Sequence, residues 1–158
     1  MKIASTFLTA SCLLMVALAS AHAAESPTRS GYKSYATGYS FDQLVARVQN
    51  AVQKNRMGLV AQASASRGAA ARGVKIRGNF VIMVFRNDYA VRMLKASVPA
   101  GIEAPLRFYL TENEDGTTEL SYYQPSAVFA PYGSSELDVM AGELDLIFAQ
   151  IVADAVGK

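Results

Sequence analysis

The chain has 158 residues, 51% of them apolar, a formal net charge of +2, one Cys, one His and no Trp. That length holds one domain and a tail, and leaves no room for a second independent core. Cys12 and His22 both fall in an N-terminal export signal, so the chain left after cleavage cannot build a thiolate nucleophile, a His-based triad or a Cys/His metal cage.

Lys2 gives the signal its positive start, residues 7–18 its apolar centre, and Ala21-His22-Ala23 the small-x-small pattern that a signal peptidase reads. Cleavage is expected after Ala23, with Ala19-Ser20-Ala21 as an alternative site. The apolar stretch is about a dozen residues, whereas a membrane-spanning helix needs roughly 20. Attachment of lipid at Cys12 is excluded because the apolar run continues past it. The expected location is the periplasm or the exterior, with residues 1–23 as signal, 24–34 as a polar tail and 35–158 as a single domain. No segment of the mature portion approaches spanning length.

Within the domain, residues 35–39 read as a short first strand. Ser40 with Gln43 three residues on makes a capping box. Phe41, Leu44, Val45, Val48 and Val52 then follow at the spacing of an amphipathic helix. Gly58 marks its end, and residues 59–63 suit a second strand. Residues 64–78 are Ala-rich and basic, with Gly68, Gly73 and Gly78, and read mostly as loop with at most one helical turn. In residues 80–85 both alternating sets are apolar, which suits a central strand covered on both faces. Asn87 is expected to cap a second helix over residues 88–97, closed by Pro99 and Gly101.

A hairpin follows. Leu106, Phe108 and Leu110 alternate with Arg107, Tyr109 and Thr111; after an acidic turn, Leu120 and Tyr122 alternate with Glu119, Ser121 and Tyr123. Residues 125–133 read as loop. Ser134 or Ser135 then caps a final helix with an apolar stripe from Leu137 to Val152. The order β-α-β-β-α-β-β-α implies an α+β domain, a two-layer α/β sandwich with an approximately five-stranded mixed sheet and three helices.

Charge divides along the chain. Residues 24–107 carry 13 Lys/Arg against 4 Asp/Glu, and residues 108–158 carry 9 acids against one Lys. This is either a dipolar surface or two halves whose charges mix once folded. The basic segment lacks interleaved aromatics, so nucleic acid is not an expected partner. Gly68 to Lys75 fails as a phosphate loop because Val74 separates Gly73 from Lys75 and no Ser or Thr follows. Ser30-Gly31-Tyr32-Lys33 matches Ser-x-x-Lys spacing by chance, without the other elements of an acyl-enzyme site. Glu112, Glu114 and Asp115 crowd a wet turn and lack calcium-loop spacing, so neither a metal nor a cofactor is expected.

The outer face of the hairpin is the main candidate site. Pairing Phe108 with Leu120 places Tyr109 opposite Glu119 and Arg107 opposite Ser121, with Tyr123 at the same edge. Arg107, Tyr109, Glu119 and Tyr123 suit a small polar or anionic ligand, or line the interface of a homodimer. Arg86 and Asn87, after the central strand, form a secondary set. An enzyme using a Tyr or carboxylate base beside Arg107, or an envelope assembly module, are the alternative readings.

Taken together, Ser40-Phe41-Asp42-Gln43-Leu44, Gly58, Asn87, Pro105-Leu106-Arg107, Asp115-Gly116 and Ser121-Tyr122-Tyr123-Gln124-Pro125 resemble the domain-of-unknown-function 302 family in their order. The resemblance implies a compact α/β sandwich and a dimer, and no settled reaction, cofactor or substrate. Many members have Cys-Asn-Pro after the central strand where this chain reads Phe85-Arg86-Asn87-Asp88, and Asp where it has Gln124. A thiol-based role in those members therefore does not transfer.

Overall fold

A computed structural model describes residues 30–157; the export signal read above lies outside them. The sheet is built from β1 (Tyr32–Thr37), β2 (Gly58–Ala63), β3 (Asn79–Phe85), β4 (Leu106–Glu112) and β5 (Thr118–Tyr123), in the order β1-β5-β4-β3-β2. The helices are α1 (Phe41–Lys54), α2 (Ala65–Ala70), α3 (Asn87–Ala96), α4 (Pro125–Phe129) and α5 (Ser135–Val156), with 3-10 turns at Val98–Glu103 and Ala130–Tyr132.

The sheet is antiparallel throughout and not mixed. The physical reason is where each connection returns. The chain leaves β2 at Ala63 and re-enters beside it, with Ala63 opposite Val81; it leaves β3 near Val84 and re-enters opposite it at Leu106. These excursions work as elaborated hairpins, and α1 carries the chain from one sheet edge to the other. Three helices fit the long elements α1, α3 and α5, but α2 and α4 add two short ones. Ser64 caps α2 by accepting the Arg67 amide at 3.1 Å, and its hydroxyl also reaches the Asn79 carbonyl at 2.8 Å.

Local signals hold where they are short-range. The Ser40–Gln43 capping box forms in full. The helix after the central strand starts one residue earlier than expected, so Arg86, in extended backbone, is its cap position and Asn87 its first residue. Strand β1 likewise starts at Tyr32, opposite Tyr123.

The core lies between the sheet and the helices. Phe80, Ile82, Val84, Phe108, Leu110, Leu120 and Tyr122 face Leu44, Val48 and Val52 of α1 and Leu144, Phe148 and Ile151 of α5, and all are buried. Phe148 stacks on Phe108 with centroids 4.6 Å apart. The basic and acidic halves of the sequence interleave: Lys54–Asp154 at 2.7 Å, Arg77–Glu114 at 3.2 Å and Arg92–Glu143 at 2.7 Å each join one to the other.

One close approach fixes the start of β1. Gly31 has φ +79°, and a Cβ there would sit 2.1 Å from the Ala127 Cβ. Gly31→Ala is expected to cost about 2–4 kcal/mol, from the left-handed backbone and the overlap together. Urea denaturation measures it; a loss within ~0.5 kcal/mol, typical of an open surface site, would show that α4 does not pack there.

Candidate functional site

Because side chains alternate along a strand, the strand residues between those of the core point away from the helices. They form rows across the sheet. One row runs Tyr32, Tyr123, Arg107, Met83, Ala61; the next runs Ser34, Ser121, Tyr109, Val81, Ala63; a third runs Ala36, Glu119, Thr111, Asn79. Val81, Met83 and Phe85 are half-buried, and Tyr109 is 41% exposed. Among the described residues no helix packs over this face. The second apolar face of β3, read from the sequence as covered, is open.

All four hairpin candidates lie on this face, though in a different register. Phe108 pairs with Tyr122 and not Leu120, so Tyr109 faces Ser121, and Glu119 faces Thr111. The turn is two residues wider than expected, because Asn113 and Thr117 close it: the Asn113 amide donates to the Thr117 carbonyl at 2.8 Å, and Asp115 accepts the Thr117 amide at 2.9 Å. A slip of two residues keeps every side chain on its own face.

Arg107, Tyr109 and Tyr123 are thereby neighbours, while Glu119 stands two rows from Arg107. Arg107 and Tyr123 line a shallow recess of about 30 Å³ with Glu103, Leu106 and Val128. Tyr123 meets Tyr32 edge-on at 5.4 Å. Glu119 accepts a hydrogen bond from the Ser34 hydroxyl. The tyrosine that burial pushes furthest up, Tyr122, lies on the helix side, stacked with Tyr35 and away from Arg107.

Arg86 and Asn87 lie elsewhere, at the junction of β3 and α3. Arg86 forks onto Asp88 at 2.8 and 3.1 Å and stacks on the Tyr89 ring at 4.3 Å. Asn87 is exposed. Arg92 forks onto Glu143 of α5 at 2.7 and 2.8 Å, and the Tyr89 hydroxyl donates to the same carboxylate at 3.1 Å. The Arg92 hydrogen bonds, helped by Tyr89, hold the Glu143 carboxyl down at about 2; burial, followed by the hydrogen bond to Glu143, raises the Tyr89 hydroxyl.

Tyr89, Arg92 and Glu143 escape a sequence reading because two helices far apart in the chain supply them. The faint signal is the i, i+3 spacing of Tyr89 and Arg92 beside an acid in an otherwise apolar stripe. Since the folded Glu143 carboxyl sits below its ordinary 4.5, its contribution is present above that pH and lost as pH falls towards 2. Glu143→Gln should therefore flatten the fall in Tm across that window. A slope unchanged from wild type would show that the Arg92 fork does not form.

The model of the family described as Domain of unknown function DUF302 matches residues 33–154. The chain belongs to this family. A solved structure, the uncharacterized conserved protein DUF302 from Bacillus stearothermophilus, superposes with a TM-score of 0.71 at 14% identity, covering 80% of this chain and 98% of that one. At that identity the likeness establishes the shared DUF302 fold alone. No curated protein matches the chain. This DUF302 chain keeps the fold while carrying Arg86 after the central strand.

Proposed function

We propose that this DUF302 domain is an exported, non-catalytic binding module that works as a homodimer, with the open face of its sheet as the working surface. The observation that carries the reading is the apolar strip Val81, Met83, Phe85 on the uncovered side of a central strand, flanked by Tyr109, Tyr123 and Tyr32. A monomeric domain rarely leaves such a patch without a partner. Arg107 and Glu119, of opposite charge and two rows apart, make the face complementary to itself under two-fold rotation. A small polar ligand held by Arg107, Tyr109 and Tyr123 would occupy the rim of that interface.

Native mass spectrometry of protein purified from the periplasm tests export, assembly and retained ligand together. The expected species has twice the mass of residues 24–158. A monomer at roughly micromolar concentration would overturn the dimer, and a chain retaining residues 1–23 would overturn the export reading.

A further inference from the structure

Where β3 passes into α3, an apolar cavity opens between the end of the sheet, α3, α4 and α5. Its walls include Met57, Met93, Met140 and Phe129, and its polar lining is Arg86 and Tyr89. Its space is about 30 Å³, room for about one water, and it opens to solvent, so a guest must push the lining side chains aside to enter. Of the four methionines among the described residues, Met57, Met83, Met93 and Met140, all but Met83 line it. Methionine is unbranched, turns about three bonds and re-packs readily, so a cavity walled by three of them widens for a guest more easily than one walled by branched side chains.

The charge at the lining selects the guest. Arg86 is held beside the cavity by stacking on Tyr89, yet its ionic partner Asp88 is 63% exposed. The pair is a two-bond fork, but exposed pairs are worth little, so a guest carboxylate that replaces Asp88 must offset that loss by burying its chain. A cation is disfavoured by the guanidinium, and a neutral alkane leaves it unused. We propose that this cavity binds the chain of a small alkyl carboxylate, with Arg86 holding the carboxylate. The cavity shares Phe85 with the open face, and the rest of its lining lies on the helix side or at the end of the sheet, so Met83 on the open face serves as the control that separates this proposal from the dimer.

The test is NMR of the purified chain labelled at the methionine methyl groups, titrated with sodium octanoate and, separately, with 1-octanol, at roughly millimolar concentrations expected for so small a ligand. Octanoate should shift the Met57, Met93 and Met140 signals saturably and leave Met83 in place. Arg86→Gln should weaken octanoate about tenfold, the scale of one charge-assisted pair, and leave octanol unchanged. Ala90 also lines the cavity and is half-buried; Ala90→Leu fills the mouth and should abolish the shifts while the domain stays folded. The proposal is overturned if the three methyl signals do not move. Equal movement of Met83, or equal weakening of octanoate and octanol by Arg86→Gln, would also overturn it.

Discussion

Phe148→Ala is expected to destabilise the domain by about 3–5 kcal/mol, a large share of the ~5–15 kcal/mol that holds a domain of this size together. Phe148 is fully buried at the centre of α5. It stacks on Phe108 at 4.6 Å and tilts against Tyr122 at 5.5 Å. Its removal leaves a void between the longest helix and the two central hairpin strands, and neither can close it. The neighbours are a strand held by pairing on both sides and a helix braced by Lys54–Asp154 at its far end. Chemical denaturation measures the loss. Phe148→Leu, which keeps most of the volume, should cost about 1–1.5 kcal/mol. A similar small cost for the alanine variant would place the core elsewhere.

Tyr109→Glu is expected to convert the proposed dimer to a monomer, raising its dissociation constant at least roughly 100-fold. A two-fold interface carries the substitution twice; burying an unpartnered polar group costs about 1–3 kcal/mol on the scale of mutational data and a carboxylate more, so the two copies together cost at least ~3 kcal/mol. Tyr109 is 41% exposed in the single chain, so the monomer should keep its Tm within a few degrees. That separation of assembly from stability makes it a better probe than Met83→Glu on the more buried strand β3. Sedimentation over a range of concentrations reads the constant. A dimer that survives Tyr109→Glu with unchanged affinity does not use the open face.

Which parts of this could be read from the residues follows from the range of the interactions. The Ser40–Gln43 box and the α5 stripe depend on neighbours three and four positions away, and both are visible in the string. Helix α2 is not, because Gly68 and a run of alanines give no periodicity; tertiary bonds of Ser64 and Ala65 to Asn79 fix its start. The mixed sheet expected from the sequence gives way to an antiparallel one for a similar reason. A helical excursion that returns to the end it left looks, in sequence, the same as one that crosses the sheet. The hairpin candidates share a face because period-two alternation survives a two-residue slip, whereas their partners do not survive it. The Arg86 cavity needed α3, α4 and α5 in place, and its methionines stand at positions 57, 93 and 140 with no spacing to link them.

Strand β1 lies at one edge of the sheet, and its single neighbour there is β5, with Tyr32 opposite Tyr123. Of the described strands, the first to be synthesised therefore waits for the last before it can be zipped into place. Bridging so long a stretch of chain is slow to close. Until then the segment next to the N-terminus stays unpaired and open to whatever handles it. Under the export proposed above, in which the chain is threaded across a membrane before it folds, that delay would keep the leading end in a translocatable form, and the order of the strands would act as a clock.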